Sequence, residues 1–126
     1  MAPARVLVVD DEAGLRSFMV RALEADGHTV AAAEDGAGAL AEIAAAEAPF
    51  DVVISDIVMP ETDGIALALK IAKESPRTAV VLVSGYPQEL ARARGLEALV
   101  RATLAKPFTM EELRRLVADL TGVVPG

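Results

Sequence analysis

Acidic side chains directly follow two strongly apolar segments of the sequence. Asp10, Asp11 and Glu12 come after "RVLVV" (5–9), and Asp56 comes after "DVVIS" (51–55). Carboxylate oxygens are the ligands that Mg²⁺ and similar hard cations prefer. Carboxylates gathered at one place repel one another, which raises the pKa of at least one of them unless a cation neutralises the charge. If the fold brings these residues together, they predict a site for Mg²⁺ or Mn²⁺.

A hydroxyl and an ammonium group follow two further apolar segments. Ser84 ends "AVVLVS" (79–84), and Lys106 follows "RATLA" (101–105). Opposite the carboxylates, these groups would hold the oxygens of a phosphoryl group carried by Asp56. Each feature alone has an ordinary explanation, such as a helix N-terminus, a turn or a solvated loop end. Their convergence on one place favours a functional site.

The apolar segments themselves predict strands. The segments 5–9, 51–55 and 79–84 are short, β-branched and continuously apolar, which is typical of strands buried on both faces of a parallel sheet. "HTVAAA" (28–33) and "RATLA" (101–105) predict two weaker strands.

Segments with helical character lie between these strands. Apolar residues recur at helical spacing from Leu15 to Leu23, and again from Leu113 to Leu120 after a capping-box pattern at Thr109 to Glu112. Further helices are predicted over 36–47, 64–74 and 87–98, and "TGVVPG" (121–126) predicts a helix stop followed by a short tail. Strands alternating with helices indicate an α/β fold with a parallel sheet, in which ligands bind at the carboxyl ends of the strands.

Composition limits the class of protein. A chain of 126 residues that is 53% hydrophobic fits a single domain over residues 1–126, with a core of about 4–121. The net charge of −7 argues against nucleic-acid binding. No apolar run approaches the roughly 18 residues of a membrane span and no signal peptide is evident, so a cytoplasmic location is expected. Without cysteine, disulfides, thiolate metal sites and cysteine catalysis are excluded.

Four motifs carry a family resemblance over essentially the whole chain. "LVVDDE", "VVISDIVMPETDG", "VVLVSGY" and "LAKPF" occur in order and resemble the signatures of the CheY-like receiver domain of two-component response regulators. The resemblance implies a flavodoxin-like, doubly wound sheet of five parallel strands in the order 2-1-3-4-5, with five helices. The "SGY" turn and the length are also similar to stand-alone, single-domain regulators, one group of which controls substrate delivery to a protease.

The same resemblance implies the roles of the site residues. Asp56 would be the phosphoacceptor, Ser84 the hydroxyl that follows the phosphoryl group, and Lys106 its ammonium partner. The metal ligands would be Asp10, Asp11, Asp56 and the backbone carbonyl of Val58. The bond between Lys106 and Pro107 would be cis.

The family also implies partners and a mode of action. A sensor histidine kinase or a histidine phosphotransfer protein would supply the phosphoryl group, and the chain would catalyse only its own phosphorylation and dephosphorylation. His28, the only histidine, is predicted at the surface in a turn, so the donor must be another protein. Output would be a phosphorylation-dependent change of a protein-binding surface, with a protease adaptor system as one candidate partner.

One position departs from the family pattern. The switch residue three positions before the lysine, usually aromatic, is Thr103 here, and Tyr86 follows the Ser-Gly turn. Tyr86 is therefore the candidate replacement for the usual aromatic switch.

Other functions remain open from the sequence. A haloacid-dehalogenase-type phosphatase would use Asp10 as its nucleophile, although it requires Asp-x-Asp where this chain has Asp10-x-Glu12. A flavodoxin-like electron carrier would need amides and hydroxyls where "DDEAG" is acidic. The chain could also be a phosphoryl shuttle or sink without its own output, or a receiver that binds partners without phosphorylation.

Overall fold

The computed structural model describes residues 4–96 and 98–122. Parallel strands form a five-stranded sheet in the order β2-β1-β3-β6-β7, and a separate antiparallel pair is formed by β4 and β5. The strands are β1 (Arg5–Val9), β2 (Thr29–Ala33), β3 (Val52–Asp56), β4 (Val58–Met59), β5 (Thr62–Asp63), β6 (Ala79–Ser84) and β7 (Ala102–Ala105). Counting only the large sheet, this is the predicted order 2-1-3-4-5, so the predicted fold class is confirmed.

The described residues form five helices, of which four connect strands and the fifth follows the last strand. They are α1 (Ala13–Glu24), α2 (Gly36–Ala45), α3 (Gly64–Glu74), α4 (Pro87–Arg94) and α5 (Met110–Thr121). The predicted capping box is present at the start of α5, where the Thr109 side chain accepts from Glu112 N and the Glu112 side chain accepts from Thr109 N. Within the described part of the chain, no helix has both the length and the apolar character needed to cross a membrane.

Two helices end earlier than predicted. Helix α2 stops at Ala45 because Ala46 takes an extended conformation, with φ −69° and ψ 138°. Helix α4 stops at Arg94 rather than at 98, and the chain turns at Gly95 and Leu96. Glycine is a poor helix former, and the turn lets Leu96 pack against the core. Glu97 lies outside the described residues.

The last described residue, Gly122, tests the predicted end of the C-terminal helix. Gly122 ends α5 with a left-handed φ of 74°, as the predicted helix stop requires. The predicted tail, 123–126, lies outside the described residues.

The short hairpin of β4 and β5 was not predicted, because two-residue strands carry too little pattern to be recognised.

The central strands β1, β3 and β6 are buried on both faces, as their apolar segments predict, whereas the edge strands β2 and β7 are more exposed. Alternate residues of each strand point to opposite sides. Leu7, Val53 and Leu82 belong to a core cluster that includes residues of α2, α3 and α4. Val8 and Ile54 belong to a second cluster with residues of α1 and α5. The sheet is therefore held between two helical layers, and its carboxyl edge is left for the turns that carry the candidate site.

The predicted surface position of His28 is wrong. Its side chain is buried, with 5% of the residue exposed, and its Nδ1 has no hydrogen-bond partner among the described residues. The turn that contains it folds back on α1, because its backbone N–H donates to Leu23 O at 3.3 Å. Burial lowers the pKa of His28, and the neighbouring charges of Asp26 and Asp51 offset this only in part.

The buried histidine predicts a specific pH dependence of stability. Because the folded-state pKa lies below the unfolded value of about 6.5, the unfolded chain takes up the proton more readily as pH falls. The stabilising contribution of the uncharged His28 side chain is fully present at pH values above the unfolded pKa and is lost as the pH falls below it. We expect His28→Gln to reduce the fall in urea midpoint between about pH 7.5 and about pH 5.5. An equal fall in wild type and variant would contradict this explanation.

Candidate functional site

Three carboxylates meet at the carboxyl edge of the sheet. Asp56 is the last residue of β3, and Asp10 directly follows the neighbouring strand β1, which pairs with β3 through Val9 and Ser55. One carboxylate oxygen from each of Asp10, Asp11 and Asp56 lies within 4.8 Å of the other two. Asp10 and Asp56 are buried, whereas Asp11 is exposed. The predicted clustering of these residues is therefore present in the structure.

Lys106 reaches this cluster of carboxylates from the end of the edge strand β7. It follows β7, and its backbone N–H donates to Ser84 O at 3.0 Å. Its ammonium Nζ donates to Asp56 Oδ2 at 2.8 Å and to Asp10 Oδ2 at 3.3 Å. The bond to Pro107 is cis, as the resemblance implied. The lysine is thus a direct partner of two of the three carboxylates.

Ser84 follows the residue that pairs with Asp56. It ends β6, whose Val83 pairs with Asp56, and it is fully buried. Its Oγ accepts a hydrogen bond from the backbone N–H of Tyr86 at 3.0 Å. Among the described residues its hydroxyl has no other hydrogen bond, so its own proton is uncommitted.

The segment after Asp56 is tied to its side chain. The backbone N–H of Val58 donates to Asp56 Oδ1 at 3.3 Å, and Val58 then pairs with Asp63 in the β4–β5 hairpin. The Val58 side chain is 48% exposed. The role of the Val58 carbonyl as a metal ligand stays a prediction.

Gly64 holds this hairpin against β3. Its backbone N–H donates to Ile57 O at 2.8 Å, and a Cβ at this position would lie 2.2 Å from Asp56 O. Backbone cannot yield as a flexible side chain can, so a side chain here would displace Asp56. Gly64 is the last residue of the segment "VVISDIVMPETDG", but nothing in that segment indicates this close approach.

The pKa of Asp56 is raised, chiefly because the carboxyl is buried. The hydrogen bond and charge of Lys106 lower it, and the charge of Asp10 raises it further. The sequence predicted that repulsion among the carboxylates raises the pKa of at least one of them. The direction of this shift is confirmed for Asp56, but its main cause is burial. Burial lowers the pKa of Lys106, but its bonds and charge interactions with Asp56 and Asp10 outweigh that effect and raise it. The lysine is therefore held in its charged form.

Arg16 is a part of the site that the sequence analysis missed. Its guanidinium NH1 donates to the backbone carbonyl of Asp10 at 2.7 Å. A signal existed: Arg16 lies one helical turn beyond Glu12, and on α1 that spacing brings a long side chain back over the turn before the helix.

The donor set fits a divalent cation. Mg²⁺ is usually held by one or two carboxylates with water and phosphate oxygens completing an octahedron. Asp10, Asp11 and Asp56 offer more negative charge than Lys106 neutralises, and the exposed position of Asp11 leaves access for water.

Comparison with known proteins places this arrangement in a family. The response regulator receiver domain matches residues 6–118, which is most of the chain. The protein belongs to the response regulator receiver domain family. Receiver domains accept a phosphoryl group from histidine kinases, so the predicted phosphoacceptor class is confirmed at the level of the family.

Individual relatives agree with this assignment. The response regulator receiver protein CpdR of Brucella abortus is 32% identical, over 86% of this chain and 89% of its own length. The sensor kinase CckA of Brucella abortus is 39% identical over 93% of this chain, but this chain spans only 12% of CckA. The chemotaxis response regulator CheY4 of Vibrio cholerae has a similar structure, with a TM-score of 0.83, 28% identity, and coverage of 94% of this chain and 98% of that one.

Several relatives are much longer than this chain. The chain spans 44–47% of the length of two transcriptional regulatory proteins and of the response regulator MprA that it matches. The family and the fold therefore carry over to this chain, whereas the outputs of those longer proteins do not.

Hydrogen bonding does not distinguish Asp10 from Asp56 as a nucleophile. Both oxygens of each carboxylate accept a hydrogen bond, and Asp10 is 2% exposed where Asp56 is 8% exposed. The family match over residues 6–118 is what argues against a phosphatase of the haloacid-dehalogenase type that attacks with Asp10.

Proposed function

We propose that Asp56 accepts a phosphoryl group from the phosphohistidine of a sensor histidine kinase or a histidine phosphotransfer protein. The observation that carries this proposal is the contact of Lys106 Nζ with Asp56 Oδ2 at 2.8 Å, next to the carboxylates of Asp10 and Asp11. An ammonium at that position also meets the oxygens of a phosphoryl group attached to Asp56.

Each residue has a defined part in the transfer. A carboxylate oxygen of Asp56 attacks phosphorus as the bond to the histidine nitrogen breaks. Lys106 stays with the phosphoryl oxygens, and Ser84 donates its free hydroxyl proton to one of them. A Mg²⁺ or Mn²⁺ ion held by Asp10, Asp11, Asp56 and the Val58 carbonyl would supply neutralising charge to the same oxygens.

The remaining assignments are part of the same proposal. Residues 1–126 form a single receiver domain with a core of about 4–121, supported by the two core clusters on one continuous sheet. The chain acts only on its own phosphorylation state and works in the cytoplasm, where ATP is available to a histidine kinase. It binds no nucleic acid, in keeping with its net charge of −7.

We also propose that Tyr86 carries the signal to the surface. Its backbone N–H is bonded to Ser84 Oγ, and it is the N-cap residue of α4. A phosphoryl group on Asp56 draws the Ser84 hydroxyl toward it, and Tyr86 follows through that bond. Thr103, partly buried in β7, is too small to act as an aromatic switch. Tyr86 is 55% exposed, so a change in its packing alters a surface that a partner protein contacts. Whether that partner belongs to a protease adaptor system stays a prediction.

Phosphorylation by acetyl phosphate with Mg²⁺ tests the acceptor. We expect wild type to gain the mass of one phosphoryl group and Asp56→Asn to gain none, because the amide is not a nucleophile. Asp119→Asn is the matched control, since Asp119 is exposed on α5 and the variant loses the same charge. Full phosphorylation of Asp56→Asn would sink the assignment. A modified Asp10 in wild type would favour the phosphatase alternative.

Fluorescence tests the proposed output. Tyr86 is the only tyrosine and the chain has no tryptophan, so emission reports one position. Beryllofluoride with Mg²⁺, which mimics the phosphoryl group, should change the emission of wild type but not of Ser84→Ala. If emission and the amide spectra of residues 84–100 stay fixed in wild type when the mimic binds, Tyr86 is only an exposed loop aromatic and the output surface lies elsewhere.

A further inference from the structure

Arg16 donates a hydrogen bond to the backbone between two residues of the carboxylate cluster. Its acceptor, Asp10 O, belongs to the peptide group that joins Asp10 to Asp11. The peptide is planar, so fixing the direction of its carbonyl also fixes the path of the chain into Asp11. At 2.7 Å from a charged donor, this is a strong hydrogen bond.

Asp10 and Asp11 are held in different ways. The backbone N–H of Asp10 donates to Ala33 O at 3.1 Å, and its carboxylate bonds to Glu12 N and Lys106 Nζ. Among the described residues, no hydrogen bond or ion pair involves the Asp11 side chain, and Asp11 is exposed. The position of the Asp11 carboxylate therefore depends on the backbone that leads to it.

At the start of α1, this turn is also closed by the hydrogen bond from Glu12 N to Asp10 Oδ1 at 2.8 Å. Glu12 is the N-cap residue, but its side chain makes no capping hydrogen bond. The side chain that reaches back over the turn is Arg16, which is partly buried and lies in the second turn of the helix. This hydrogen bond ties the Asp10–Asp11 peptide to the rigid body of α1.

We propose that Arg16 is a positioning residue for the divalent cation, acting through the Asp10–Asp11 peptide to aim the Asp11 carboxylate at the site. The inference rests on the proposed function, since it requires that Asp11 bind the metal. Within the described part of the chain, no hydrogen bond or ion pair joins Arg16 to the carboxylates of Asp10, Asp11 or Asp56, so it acts through the backbone.

Electrostatics alone gives the opposite expectation, which makes the proposal testable. A guanidinium near a cation site repels the cation, so its removal should strengthen metal binding if charge is its main effect. If Arg16 positions Asp11, its removal should weaken binding. The sign of the change separates the two roles.

The test is a calorimetric titration of the unphosphorylated protein with Mg²⁺. We expect Arg16→Met, which keeps an unbranched side chain of similar length but has no donor, to bind Mg²⁺ about tenfold more weakly than wild type. Arg16→Lys, which keeps the charge and one donor, should recover part of the affinity. The matched control is Arg21→Met, which removes the same charge from an exposed position on the same helix and should bind at least as tightly as wild type.

The outcomes are distinct. Weaker binding by Arg16→Met with an unchanged thermal midpoint supports the proposal, because a purely structural role would move the midpoint. If Arg16→Met fails to fold, the comparison of Mg²⁺ affinity between Arg16→Lys and Arg21→Met decides between the two roles. Unchanged or tighter Mg²⁺ binding by the Arg16 variants overturns the inference and leaves the proposed function intact. Absence of Mg²⁺ binding in wild type overturns both.

Discussion

The contact between one ammonium and two buried carboxylates is the constraint on which the site depends. Lys106 bonds to Asp56 and to Asp10, and both of these aspartates are almost inaccessible to water. Burying a charge without a partner costs several kcal/mol, so each carboxylate needs the lysine. One ammonium does not neutralise three carboxylates that lie within 4.8 Å of one another. The fold therefore maintains an excess of negative charge, which a divalent cation would relieve.

The sheet makes this concentration of charge possible. The strands β1, β3 and β6 have apolar residues on both faces, and the helical layers keep water away from them. At the carboxyl edge, polar side chains enter at or just after the ends of β1, β3, β6 and β7. Because the strands are parallel and in register, these chain segments lie close together although their residues are far apart in sequence. Under the proposed function, a cation and a phosphoryl group would share this edge for the same reason.

Much of this arrangement could be predicted from the sequence, for identifiable reasons. Continuous β-branched segments predicted the buried strands, because side-chain type determines which segments can be buried. The residue after each segment predicted the site, because parallel strands end at the same edge of the sheet. The strand order and the cis bond before Pro107 came from the family resemblance instead, and both are present. The burial of His28 was not predictable, since a polar residue in a turn is usually exposed and only the packing of the turn against α1 determines otherwise. Gly64 was missed because its close approach is to the backbone of Asp56, which leaves no signal in residue type. Arg16 left a signal in its helical spacing from Glu12, but that spacing does not specify its acceptor, the carbonyl of Asp10.

The most direct test of the central claim is the stability of the protein as a function of Mg²⁺. If the three carboxylates form a cation site only in the folded state, the free energy of unfolding should rise with the logarithm of Mg²⁺ concentration once binding saturates. The measurement is a set of urea unfolding curves at constant ionic strength, with wild type beside Asp11→Asn, a change at an exposed position. The account predicts a steady rise for wild type and a much smaller one for the variant. A wild-type stability that does not respond to Mg²⁺ would contradict it.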